Sequence, residues 1–151
     1  MKLEEDYEEF IELLNEHNVQ YLIVGAYAVS YYARPRNTGD IDFFIRKSTQ
    51  NISNLLDALG AFGFGSLDLT PKDFAEDTIL QLGYEPVRID LMTSISGVSF
   101  EQAYNNKERG QLGNQTAYFI SLNDLITNKE ASNRTQDRAD AELLKNSTGN
   151  N

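Results

Sequence analysis

Cysteine is absent from this 151-residue chain, which removes disulfides, thiolate metal sites and a cysteine nucleophile together and is compatible with the cytosol. Histidine occurs once, as His17, so a histidine dyad, a His-rich zinc site and a Ser-His-Asp triad are all disfavoured. No apolar run approaches the roughly 18 residues of a membrane span. The segment Met1 to Asp6 is acidic where a secretory signal would be basic and then apolar, so export is not indicated and a cytoplasmic location is expected. Basic residues are scarce as well: 13 Lys and Arg stand against 23 Asp and Glu, a net charge of -10. An acidic body repels phosphates, so binding of nucleic acid through the general surface is not expected. A local basic pocket that holds a small phosphorylated ligand with a divalent cation is compatible with that charge. Chemistry here must run on carboxylates, hydroxyls, basic residues and a hard metal ion.

With 40% hydrophobic and 24% charged residues, the chain fits a single soluble domain, placed over residues 1–145, followed by a polar, frayed tail over 146–151. Leu3, Tyr7, Phe10, Ile11 and Leu14 recur at helical spacing between acidic residues, which predicts a surface helix with one buried stripe. Tyr21 to Val24 is a short β-prone run ending at Gly25 and reads as a buried strand leading into a helix over Ala26 to Ala33. Arg34 to Gly39 is a polar loop, since Pro35 disfavours helix at Arg34. Asp40 to Ile45 reads as a second strand, Ser48 to Gly60 as a helix, and Thr70 to Asp73 as a capped helix start. Thr78 to Leu82 and Val87 to Met92 read as strands paired around Gly83 to Pro86. A capping box at Ser99 to Gln102 opens a short helix. Thr116 to Ile120 is a further strand, and Leu122 to Ala131 and Thr135 to Leu144 form a helical C-terminal region. The class is α/β, with helices interrupting the strands.

The chemistry is concentrated in a few acidic positions. Residues two apart along a strand share a face, at roughly 6.6 Å along the backbone, so Asp40 and Asp42 present two carboxylates side by side while Ile41 points to the core. Two carboxylates this close call for positive charge between them. Mg²⁺ suits such oxygen ligands, together with substrate phosphates and water. Val87 to Met92 is a second apolar strand interrupted by one aspartate, and pairing it beside Asp40 to Ile45 brings in Asp90 as a third carboxylate. Metal-assisted phosphoryl and nucleotidyl transfer uses this arrangement. Gly25, between a strand and a helix, adds backbone N–H groups where phosphate oxygens would sit. Blander readings stand beside these. The Asp pair is also explained as a strand edge either solvated by water or paired with Arg34 and Arg36, Asp90 as a surface carboxylate or a partner of Arg88, and Gly25 as a tight turn.

Gly25-Ala26, Arg36-x-Thr38-x-Asp40-Ile41-Asp42, Arg88-Ile89-Asp90-Leu91-Met92 and the tail from Asn128-Lys129 through Arg134-x-x-Asp137-x-x-Asp140, taken in order, resemble the polymerase-β-like nucleotidyltransferase superfamily. The similarity is to its small bacterial members, the minimal and abortive-infection-type nucleotidyltransferases, and it covers most of the chain. The resemblance implies a mixed β-sheet palm flanked by helices. It implies Asp40, Asp42 and Asp90 as the catalytic, Mg²⁺-binding carboxylates, with Asp90 as general base. Gly25, Ala26, Arg36, Thr38 and Lys129 are implied as contacts to a nucleoside triphosphate. At Ala26 the chain departs from the pattern, in which Ser is common, so a phosphate-contacting hydroxyl is missing there.

The expected activity is transfer of a nucleoside monophosphate from a triphosphate to a hydroxyl of a protein or small-molecule acceptor. Two alternatives are an antitoxin-like protein with a cognate toxin as partner, and a catalytically silent nucleotide-binding domain.

Overall fold

The computed structural model describes residues 4–35 and 37–148. Leu3, Arg36 and the last three tail residues, Gly149 to Asn151, lie outside the described residues. The first helix, α1 (Glu5–Glu16), buries Tyr7, Phe10, Ile11 and Leu14 on one stripe, as the periodicity predicts, and ends at His17. It leads into β1 (Tyr21–Val24), whose four residues are all buried. Helix α2 (Gly25–Tyr32) follows without a loop, starting one residue earlier than expected. Strand β2 (Asp40–Ile45) and helix α3 (Thr49–Leu59) come next, with the Ser48 side chain capping α3 by accepting from the Asn51 amide.

Beyond α3 the chain winds through short helical turns, where Gly63 takes a positive φ of 111°. The expected helix after Thr70 is a single turn, Pro71–Phe74. Its start signal is correct, since the Thr70 amide donates to Asp73 at 2.8 Å, but no apolar stripe follows to carry a second turn. Strands β3 (Ile79–Leu82) and β4 (Arg88–Met92) form the expected antiparallel pair. Helix α4 (Phe100–Asn105) is followed by β5 (Glu108–Leu112), β6 (Gln115–Phe119), α5 (Leu122–Ala131) and α6 (Thr135–Thr148). Helix α6 thus continues through Asn146 to Thr148, positions expected to belong to a frayed tail.

Strand β5 was not legible as a strand. Its sequence, Glu-Arg-Gly-Gln-Leu, lacks the apolar alternation of a half-buried strand. It is stabilised instead by pairing with β6 across the two-residue loop Gly113-Asn114, in which Gly113 has φ 60°. That Gly-Asn pair is the hairpin signal the sequence did carry.

The six strands lie in the order β3-β4-β2-β1-β6-β5. The central contact for function is β2 with β4, which run parallel, with Asp40 beside Arg88 and Asp42 beside Asp90. Alternation along β2 sends Ile41, Phe43 and Ile45 into the core, where Phe43 meets Phe10 of α1 edge-on at 5.4 Å between centroids. The other face carries Asp40, Asp42 and then Phe44, which packs on Phe100. Thus the mixed α/β palm has its main core under α1 and its carboxylates on the opposite face. Among the described residues, no helix is long and apolar enough to cross a membrane.

Candidate active site

Two strands and one turn build the site. Because β2 and β4 are parallel and in register, the side chains of Asp42 and Asp90 stand beside each other, and Asp40 projects from the same face one pleat earlier. Ligand oxygens of Asp40, Asp42 and Asp90 all lie within 4.8 Å of one another. Asp90 is only 5% exposed. The donor set is oxygen-only and anionic, which fits a hard divalent ion such as Mg²⁺ better than a soft metal.

The Gly25 turn closes the site from the β1 side. Its φ is 68°, and a Cβ built there would lie 2.0 Å from Asp42 Oδ2. Glycine is therefore required twice over: by the left-handed backbone and by the close approach of Asp42 on β2. Ala26, in the first turn of α2, lines the same cleft with its neighbours Val24 and Gly25.

Two contacts organise the carboxylates. Thr38 Oγ1 donates to Asp40 Oδ1 at 2.8 Å, so Thr38, expected to meet the triphosphate, is here an orienting partner of Asp40. Arg88 donates from Nε to Asp90 Oδ1 at 2.9 Å and from Nη2 to Asp90 Oδ2 and Asp40 Oδ2, both at 3.0 Å. The pairing of Asp90 with Arg88, one of the blander readings, is thus real and coexists with the triad. The signal for it was present, since Arg88 lies two residues before Asp90 on one strand face.

The electrostatics are uneven. Burial, together with the charges of Asp40 and Asp90, pushes the Asp42 carboxyl up to about 8. For Asp40, burial pushes the same way but is outweighed by the hydrogen bond from Thr38 and by the Arg88 charge, so its carboxyl lies below the ordinary value. The site thus wants further positive charge near Asp42.

The carboxylates open on a cleft of about 910 Å³ that also reaches Lys129, Arg134 and Asp137. Lys129, expected to contact phosphate, is 6% exposed. Its Nζ lies 3.0 Å from Asp137 Oδ1 and 3.3 Å from Asp140 Oδ2, tying α5 to α6. Arg134 pairs with Asp137 at 3.0 Å while its own side chain is largely exposed. Burial would raise the Asp137 carboxyl, but hydrogen bonds from Arg134, Ser132 and Lys129 hold it well below the ordinary value. The sequence also gave no sign of Gln81, whose Cα is the cross-strand partner of Asp90 and which lines the cleft on the β3 side.

The motifs predict Asp40 and Asp42 on one strand face with Asp90 on a strand beside it, and leave open the parallel direction that the structure shows. The model of a family described as nucleotidyltransferase of unknown function (DUF6036) matches residues 1–147. The chain belongs to that family. No curated protein matches the chain in sequence. Among solved structures, this DUF6036 protein is similar to ANT(2")-Ia in complex with adenylyl-2"-tobramycin, at 12% identity and a TM-score of 0.58, covering 95% of this chain and 88% of that one. It is also similar to the lincosamide antibiotic adenylyltransferase LnuA bound to lincomycin, at 16% identity and a TM-score of 0.57, covering 95% of this chain and 96% of that one. At these identities the likeness is one of fold, a six-stranded mixed sheet flanked by helices.

Proposed function

We propose that this DUF6036 nucleotidyltransferase transfers a nucleoside monophosphate from a nucleoside triphosphate to a hydroxyl of a small-molecule acceptor, with a protein side chain as the second acceptor class. The observation that carries this reading is the convergence of Asp40, Asp42 and Asp90 beside the Gly25 turn at the floor of one cleft. Asp40 and Asp42 would hold Mg²⁺, with Asp90 completing the ligand set. Such an ion would screen the triphosphate charge and favour ionisation of the attacking hydroxyl.

The chain's own groups do the rest. The Ala26 amide, at the start of α2, donates to phosphate oxygen, a role strengthened by the positive end of the helix. Thr38 keeps Asp40 turned toward the cleft. Asp90 accepts the acceptor proton as its oxygen bonds to the α-phosphorus and the bond to the β-phosphate oxygen breaks, releasing pyrophosphate. Lys129 acts through the helices it joins, holding the α5–α6 wall of the cleft, while the exposed Arg134 reaches phosphate or acceptor from the rim.

A small acceptor suits the size and charge of the cleft. An acidic wall favours acceptors bearing amines or many hydroxyls, and the two similar structures hold adenylyl-2"-tobramycin and lincomycin. The test is incubation with each of four labelled triphosphates and Mg²⁺, against aminoglycosides, lincosamides and a cell lysate. Label should move to an acceptor with wild-type protein and not with Asp40→Asn/Asp42→Asn. The reading fails if no label moves and Mg²⁺ with triphosphate leaves the melting temperature unchanged.

A further inference from the structure

Arg88 contributes a fixed positive charge to the same oxygen atoms that a divalent ion would take. Its guanidinium reaches Asp90 with two donors and Asp40 with one, at 2.9 to 3.0 Å. The remaining Asp40 oxygen already accepts from Thr38. Arginine stays charged at all working pH values, so this cation cannot be removed by losing a proton. In a half-buried site the repulsion between guanidinium and incoming ion is screened far less than in water.

We propose that Arg88 makes divalent-ion binding at Asp40, Asp42 and Asp90 conditional on the incoming triphosphate. The inference rests on the reading of those three aspartates as a divalent-ion site. An ion that arrives alone meets carboxylates already engaged by a cation. A triphosphate adds negative charge that offsets the guanidinium and offers this planar group a bidentate acceptor in exchange for the oxygens it releases. Glu85 marks a direction in which the side chain can turn, because its Oε2 lies 3.6 Å from Arg88 Nη1 on the hairpin tip. Asp42 receives no bond from Arg88 among the described residues, and burial and its acidic neighbours make it the carboxylate that gains most from the ion. The consequence is ordered loading, in which nucleotide and metal enter together.

Mn²⁺ is the probe, its free signal read by electron paramagnetic resonance with and without a non-hydrolysable α,β-methylene ATP analogue. Wild-type protein should hold Mn²⁺ strongly only with the analogue. Arg88→Gln should bind Mn²⁺ without the analogue at least ten-fold more tightly than wild type. Arg88→Lys, which keeps the charge, should stay weak like wild type, and Asp40→Asn/Asp42→Asn should lose binding in both conditions. Circular dichroism melts check that each variant is folded. Unchanged or weaker Mn²⁺ binding by folded Arg88→Gln overturns the proposal. If Arg88→Gln does not fold, the wild-type ratio of affinities with and without the analogue decides, and a ratio near one overturns it. Wild-type protein that binds no Mn²⁺ even with the analogue overturns the metal-site reading itself, a failure distinct from the others.

Discussion

Two clusters of aspartates and cations face the same cleft, and they behave in opposite ways. In the α5–α6 cluster, Lys129 is almost fully buried between Asp137 and Asp140, and Arg134 caps it from outside. In the β2–β4 cluster, Asp40 and Asp90 share one guanidinium, and Asp42 is left with two acidic neighbours and a strongly raised affinity for protons. The first is closed on itself, as a buried ion group must be to repay the loss of water. The second is unbalanced, a condition that the proposed divalent ion would relieve. Residue type and spacing do not separate the two cases; the balance of charge and its exposure do.

The largest effect should come from the unbalanced cluster. Asp42→Asn is expected to lower transfer by about 10³-fold or more, since a metal ion contributes several kcal/mol to a phosphoryl transition state. The same change should stabilise the fold above neutral pH. A carboxyl that titrates near 8 in the folded protein and near its ordinary value when unfolded binds more protons in the native state between those two points. Wild-type stability therefore falls as pH rises through that window. Melting curves from pH 5 to 9, without divalent ions, should show this slope in the wild type and a much smaller one in Asp42→Asn. An unchanged slope would mean that Asp42 is ionised throughout.

The balanced cluster should respond in the reverse sense. Lys129→Met leaves two buried aspartates short of their cation and should cost about 3 kcal/mol or more in urea denaturation. Mn²⁺ binding in the presence of the nucleotide analogue, measured well below the unfolding transition, should change much less. A loss of nucleotide-dependent Mn²⁺ binding without loss of stability would assign Lys129 to phosphate after all.

The smallest effect lies at the turn beside the unbalanced cluster. Gly25→Ala forces a Cβ into the Asp42 carboxylate and strains a left-handed residue, at a cost of roughly 1–3 kcal/mol. Because Asp42 must move, activity should fall more than this stability loss alone implies, and a melt together with a turnover assay separates the two.

Much of the site was legible because the chemistry lies in short, ordered strings. Asp40-Ile41-Asp42 shows its geometry directly, since alternation along a strand puts both carboxylates on one face. The apolar frame around Asp90 marks it as an aspartate inside a strand. Strand β5 escaped because an edge strand with no buried residue on either face has no apolar rhythm to read. The burial of Lys129 could not be read from its helix, whose apolar stripe is weak, because it depends on α6 packing across it with Asp137 and Asp140. The role of Thr38 depended on a side-chain rotamer that no spacing reveals.

By itself, the sequence determined the local elements, the reliance on carboxylates and the nucleotidyltransferase pattern, because helices, strands and turns are set by neighbours a few residues apart. Only the tertiary structure decided that β4 lies parallel to β2, bringing Asp90 beside Asp42 across a gap of 48 residues in the chain. It alone decided that Arg88 also reaches Asp40, while Lys129 is sealed inside the closed cluster. Charge balance and burial are properties of what packs together in space, and the linear order of residues does not contain them.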